Sequence, residues 1–365
     1  MHVHADPPPA MILSRLRSLP VLPMVTLFMA LTMLTAITAR SADAAPVAQP
    51  LILPGPTPYT LTLYANADLS HPPAALQRAV VIVHGIKRNA DDYFAIGQRL
   101  LTAAQLSPAT TLLLAPRFMT ARDSGASAQM ALWAGDAWMQ GAASKDGVTG
   151  ITSFQALDDL LRWLADAGRF PALREIVLIG HSAGAQLMQR YAMLNSLDEA
   201  LQQRNIHLRY VVSSPSSYLY ASPERPDGNG FALPKTAACP DYDDYRYGLQ
   251  QAPPYLARQE LDGPRLFARY ARRDVRYMVG QHDTDPQQRF LDRSCAAALQ
   301  GASRVARQLA YMAYEQFLAQ RWQHPVRHEQ RLIPGAAHGA ERLFGRPEAV
   351  GWIFPGHASV TASTE

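Results

Sequence analysis

The residues Glu175-Ile176-Val177-Leu178-Ile179-Gly180-His181-Ser182-Ala183-Gly184-Ala185-Gln186 read as a strand, a sharp turn and the start of a helix. Ile176 to Ile179 is a continuous apolar run of the kind buried on both faces of a parallel sheet, and a helical pattern runs from Gln186 to Leu194. Between them stands Gly180-His181-Ser182-Ala183-Gly184, a G-x-S-x-G. Such a turn holds its serine in a strained conformation with the hydroxyl exposed above the sheet, and the glycines keep Cβ atoms out of the bend. The helix that follows aims its N-terminus at the same point and favours negative charge there.

A serine hydroxyl is a weak nucleophile, so a base and an orienting acid are needed. For this turn they are expected in the order Ser, Asp or Glu, His. Val275 to Val279 reads as a strand running into Gly280-Gln281-His282-Asp283-Thr284-Asp285-Pro286, which makes Asp283 the expected acid. Asp285, two residues on, is the alternative. Arg327 to Ile333 reads as another strand, leading into Pro334-Gly335-Ala336-Ala337-His338-Gly339 and presenting His338 as the base. His282 is the fallback for that role. The expected donors to an oxyanion are the backbone N–H groups of Ile86, in the turn opened by His84-Gly85, and of Ala183. His181 is expected to orient the turn around the serine.

Outward from these loops, apolar runs at Thr60–Tyr64, Ala79–Val83, Thr110–Ala115 and His207–Ser213 alternate with amphipathic stretches, an α/β arrangement around a mainly parallel sheet. Phe154, Leu157, Leu160, Leu161 and Leu164 recur at helical spacing, with Ser153 placed to cap the start and Gly168 the end. One long helical stretch is expected from Ser294 to about Trp322. Two segments interrupt the rhythm. Met119 to Gly150 carries Trp133 and Trp138, and an insertion over residues 214–259 carries Tyr218 among six tyrosines. Trp133, Trp138 and Tyr218 are candidates to line a substrate pocket; the alternative is that they pack these loops onto the body.

Composition sets the bounds. The 365 residues carry 34 Lys+Arg and 30 Asp+Glu, a net charge of +4, with 48% hydrophobic and 18% charged residues. That excludes disorder for most of the chain and supports a sizeable core. The only lysines are Lys87, Lys145 and Lys235 and the arginines are scattered, so no nucleic-acid footprint is expected. Arg15 and Arg17 precede an uncharged stretch from Ser18 to Ala39 and an Ala42-Asp43-Ala44 site, the layout of a signal peptide or, if retained, an N-terminal anchor. The expected organisation is a leader over 1–44, a Pro-rich linker over 45–58 and a catalytic domain over 59–365, secreted or periplasmic. Cys239 and Cys295, an even pair in an exported chain, are expected to form one disulfide, and their isolation argues against a metal site.

Together, the His84-Gly85 turn, the GHSAG turn, the GQHD loop and the PGAAHG loop resemble the α/β-hydrolase superfamily. The segment His84-Gly85-Ile86-Lys87-Arg88-Asn89-Ala90-Asp91-Asp92-Tyr93, with Cys239-Pro240 and Gln300-Gly301, is similar to a group of secreted hydrolases near the esterase and polyester-depolymerase branches. The resemblance implies an eight-stranded, mostly parallel sheet with helices on both faces, a loop-rich insertion between strands 6 and 7, and no cofactor. The resemblance says little about substrate; with a serine at the turn, the expected function is ester hydrolysis through Ser182, His338 and Asp283. A peptidase or amidase on the same residues, and a catalytically silent binding module, are the alternatives. The expected partner is a small-molecule or polymer ester, with no membrane contact for the mature domain unless the N-terminal segment is retained.

Overall fold

The computed structural model describes residues 1–2, 47–228 and 230–356. The expected leader, including its Ala42-Asp43-Ala44 site, lies outside them beyond the first two residues. Eight strands form the main sheet: β1 (Ala48–Leu53), β2 (Tyr59–Ala65), β3 (Arg78–Val83), β4 (Thr111–Pro116), β5 (Glu175–His181), β6 (His207–Ser213), β7 (Asp274–Gly280) and β8 (Glu329–Ile333). Their order is β1-β2-β4-β3-β5-β6-β7-β8, with β1 and β2 antiparallel and β3 to β8 mutually parallel. The strand order reverses at β4-β3-β5, so the loops after β3 and β5 open side by side, where ligands bind in such sheets. The register sets Val83 opposite Gly180 and Gly280 opposite Ile333. Those two pairings bring all four loops of the expected site to one edge of the sheet.

β1 corrects one expectation. The composition predicts a Pro-rich linker over 45–58, yet Leu51 and Leu53 are buried while Ile52 is exposed, the period-2 alternation of a strand with one covered face. Pro50 is tolerated because β1 lies at the sheet edge.

The main helices are α1 (Ala90–Ala103), α2 (Ser153–Leu164), α3 (Ala183–Leu194), α4 (Gly263–Tyr270), α5 (Arg304–Trp322), α6 (Ala340–Phe344) and α7 (Pro347–Ile353). They cover both faces of the sheet. Along β3, Ala79, Val81 and Val83 pack into a core shared with α2 to α5, whereas Val80 and Ile82 pack with α1, α6 and α7. Apolar residues therefore run without interruption along this strand, and each fully buried valine or isoleucine contributes about 1.5–3 kcal/mol.

Two helix boundaries also differ from the sequence reading. The N-cap of α2 is Thr152, whose hydroxyl accepts from the Gln155 N–H, while the Ser153 hydroxyl donates to the Trp138 carbonyl; the helix ends at Leu164, before Gly168. The stretch expected as one helix from Ser294 to Trp322 divides into Cys295–Ala298 and α5. Gly301, at φ +136°, breaks it, and Ser303 caps the second piece by accepting from the Ala306 N–H. The insertion follows β6, as expected, and Cys239 within it is disulfide-bonded to Cys295. Among the described residues no helix is long and apolar enough to cross a membrane.

Candidate active site

Ser182 sits at the turn between β5 and α3 with φ +57° and ψ −113°, a conformation that costs about 1–3 kcal/mol and persists only where its surroundings impose it. The surroundings do so through two glycines. A Cβ on Gly180 would lie 2.2 Å from the Gly184 carbonyl oxygen, and one on Gly184 would lie 2.5 Å from the Val83 and 2.6 Å from the His84 oxygens. No side chain fits at either position.

His338 stands in the loop after β8 with its Nε2 3.0 Å from Ser182 Oγ and its Nδ1 2.8 Å from Asp283 Oδ2. The carboxylate accepts, so Nδ1 carries the proton and the Nε2 lone pair faces the serine hydroxyl. Asp283 is buried, and its second oxygen lies 3.3 Å from the guanidinium of Arg304, a buried residue at the start of α5. Burial pushes the His338 pKa down and Arg304 adds to that, while the hydrogen bond and charge of Asp283 oppose it. Asp285 is exposed and accepts from the Gln287 N–H at 2.8 Å. His282 is likewise exposed, and its N–H ties the acid loop to the Ala336 carbonyl at 2.8 Å. The structure thus brings Ser182, His338 and Asp283 together and leaves both alternatives outside the site.

Two further histidines orient the backbone. His181 donates from Nε2 to the His338 carbonyl at 2.9 Å and accepts at Nδ1 from the Tyr93 hydroxyl at 2.6 Å. Burial holds its pKa well below the ordinary value, and neighbouring His338 and Arg304 add to this, so it is neutral. Beyond the turn it was expected to orient, His181 fixes the loop that carries His338. His84 donates from Nδ1 to the Gly85 carbonyl at 2.9 Å and accepts at Nε2 from the Phe118 N–H at 3.0 Å. Its pKa is pushed down to about 4, by burial above all. The Arg88 N–H also donates to the Gly85 carbonyl, at 3.1 Å. In a trans peptide C=O and N–H point opposite ways, so pinning this carbonyl aims the Ile86 N–H the other way. Among the described residues neither Ile86 N–H nor Ala183 N–H has a backbone or side-chain acceptor, and both residues line the cleft at Ser182.

The cleft has two parts. One, of about 620 Å³, lies on the His338 side and is lined by Ile86, Lys87, Tyr93, Gln288, Phe290 and Glu341 among others. The second, of about 340 Å³, lies on the Ala183 side against Asp136, Met139, Gln186, Ser216, Arg246 and Leu291. Ile86, Ser182 and Phe290 border both parts.

The three aromatic pocket candidates are elsewhere. Trp133 is buried and donates its indole N–H to the Ala142 carbonyl at 2.9 Å. Trp138 is stacked on Phe118 at 5.3 Å and meets the His84 ring edge-on at 4.7 Å, beneath the turn before Ile86. Tyr218 is stacked on Tyr311 at 4.4 Å in the core. Their large apolar area holds the loops onto the body. Phe290, which does border the cleft, lies outside the aromatic-rich segments 119–150 and 214–259. Nothing in the sequence marks Arg304 or Tyr93 as neighbours of the site, since each occupies an ordinary helical position.

No protein-family model and no curated protein matches the chain. Solved structures do. A poly(aspartic acid) hydrolase from Sphingomonas sp. KT-1 superposes with a TM-score of 0.56 at 19% identity, over 82% of this chain and 96% of that one. A poly(3-hydroxybutyrate) depolymerase from Bordetella parapertussis gives 0.56 at 21% identity, over 85% and 90%. With its sheet order, its helices on both faces and these likenesses, the chain has the α/β-hydrolase fold.

Proposed function

We propose that the protein is a serine hydrolase of carboxylic esters, acting through Ser182, His338 and Asp283. The observation that carries the reading is the hydrogen-bonded series from Ser182 Oγ to His338 Nε2 and from His338 Nδ1 to Asp283, in which the serine borders an open cleft. His338 Nε2 takes the hydroxyl proton as Oγ bonds to the ester carbonyl carbon, and the carbonyl π pair moves to oxygen. The N–H groups of Ile86 and Ala183 stabilise that oxyanion, with the positive end of α3 behind them. Collapse expels the alkoxide, which receives the proton from His338. Water, deprotonated by the same nitrogen, then releases the acid and restores Ser182.

Proton delivery assigns the two parts of the cleft. The leaving alcohol must face His338 and so occupies the larger part; the acyl group lies beside Ala183. Both parts carry charged side chains, Lys87 and Glu341 in one and Asp136 and Arg246 in the other, which suits a polar ester better than a long-chain lipid. The depolymerase among the structural neighbours is named for a polyester, which supports a polymeric or oligomeric ester as substrate. The Arg15–Ala44 leader pattern and the Cys239–Cys295 disulfide support a secreted or periplasmic location.

Matched aryl esters and anilides of short polar acids test the reading. Ester turnover at least tenfold above anilide turnover, lost in Ser182→Ala, is the expected result. Preferential anilide turnover would establish an amidase, and turnover of neither a binding module.

A further inference from the structure

Arg304 opens α5 directly behind the acid, with its side chain fully buried. Its Nη1 lies 3.3 Å from Asp283 Oδ1, the oxygen that His338 does not use, and 3.1 Å from Gln288 Oε1. Its Nη2 donates to the Phe290 carbonyl at 2.9 Å. Gln288 borders the larger part of the cleft, and Phe290 borders both parts. A second tie runs along the backbone, from the Val305 N–H to the Asp283 carbonyl at 3.3 Å. A buried cation is costly unless paired, and here the partner is the acid itself.

We propose that Arg304 is a positioning residue that locks the Asp283 carboxylate and the Gln288–Phe290 wall of the cleft into one unit. Both carboxylate oxygens are engaged, one by imidazole and one by guanidinium, and the plane presented to His338 is thereby fixed. The planar fork reaches the acid and the wall at once, which a lysine ammonium cannot reproduce.

The charge acts through the acid. A fixed cation beside Asp283 opposes a second positive charge on His338, and burial of His338 acts in the same direction. The other titratable groups around the histidine are His181 and Tyr93 beneath it and Lys87, Asp92, Arg99 and Glu341 along the cleft. Arg99 is paired with Glu341, and Asp92 accepts from Asn89. Removing the Arg304 charge therefore makes the imidazolium easier to form, so that the free base predominates only above a higher pH than in wild type.

The kinetic part of this inference rests on the proposed hydrolase reading; the electrostatic part does not. Full-length wild type, R304Q and R304K are compared in two ways. The His338 ring is titrated by NMR in ¹³C-histidine-labelled protein, assigned by loss of its signal in His338→Asn, and the pH dependence of fluorophosphonate labelling is followed by intact mass. R304Q is expected to raise the His338 midpoint, to move the acid limb of labelling to higher pH, and to slow labelling about 10–100-fold at neutral pH. R304K is expected to keep the wild-type midpoint and limb, with weaker saturation by bulky leaving groups as the wall loosens. An unchanged midpoint in folded R304Q overturns the inference. Should R304Q not fold, R304K decides: an unchanged midpoint with raised KM supports the inference, and unchanged KM overturns it. A wild type that is never labelled would sink the hydrolase reading, while the titration would still judge Arg304.

Discussion

β8 has a histidine–carboxylate pair at each end, and the two pairs do different things. Before the strand, His328 Nδ1 faces Glu315 Oε2 at 2.9 Å and Nε2 faces the Tyr270 carbonyl at 3.0 Å, with both side chains fully buried. After it, His338 Nδ1 faces Asp283 at 2.8 Å, but Nε2 faces a hydroxyl, at the wall of an open cleft. Both nitrogens of His328 are taken up by buried partners, the Glu315 carboxyl group and the Tyr270 carbonyl, so neither faces a hydroxyl or the cleft. Of the two, only His338 turns its second nitrogen to a hydroxyl at the cleft. A carboxylate beside a histidine is therefore no sign of a base; what the second nitrogen faces is.

The comparison breaks first at the acids. Asp283→Asn is expected to lower kcat about 10⁴-fold by leaving His338 in the wrong tautomer and, because the buried Arg304 loses its charged partner, to cost about 3–5 kcal/mol of folding stability as well, while Asp285→Asn stays within about twofold of wild type on kcat. Ester kinetics beside chemical denaturation of the same samples checks both halves. Glu315→Gln should cost stability without costing activity. It disturbs the buried hydrogen bonds that Glu315 makes with His328 and with the Tyr277 hydroxyl, which costs about 1–3 kcal/mol of stability, and kcat changes by less than about twofold because the pair stands apart from the cleft.

His84 gives a smaller effect, read in pH. Its folded pKa of about 4 lies below the ordinary value of 6.5, so between these limits the unfolded chain binds the extra proton. Stability is therefore complete above pH 6.5 and falls as the pH drops toward 4, by about 3 kcal/mol from this group. His181 adds to the loss in the same direction. Thermal melts across this range should show a gentler acid slope in His84→Gln. The least effect is expected at the cleft wall: Phe290→Ala should change KM across a series of leaving groups by about tenfold or less, since it trims contact area rather than chemistry. Trp138→Phe, whose ring lies beneath the Ile86 turn and away from both parts of the cleft, should leave that series in the same order.

How much of this was legible in the sequence depends on how local the signal is. The turn at Ser182 could be read because two glycines and a strand-to-helix switch sit within a few residues, and the loops of Asp283 and His338 because each follows a clear apolar strand. The acid could be narrowed only to a pair, since which of two carboxylates faces inward is set by the pairing of β7 with β8. β1 was hidden because Pro50 and its neighbours look like a linker, although Leu51 and Leu53 carry the alternation. Trp133, Trp138 and Tyr218 illustrate the opposite error, for an aromatic in a loop marks burial without saying whether the cavity is a core or a pocket. Arg304 could not be found at all, because an arginine at a helix start looks like a surface residue until the acid is placed against it.

The most direct test of the central claim, that His338 makes Ser182 a nucleophile, is intact-mass analysis after exposure of the purified, disulfide-intact protein to a fluorophosphonate, with peptide mapping of the adduct. The expected result is one adduct per chain, located on Ser182, absent in Ser182→Ala and strongly slowed in His338→Ala. A folded wild-type protein that stays unlabelled, or an adduct on another residue, would contradict it.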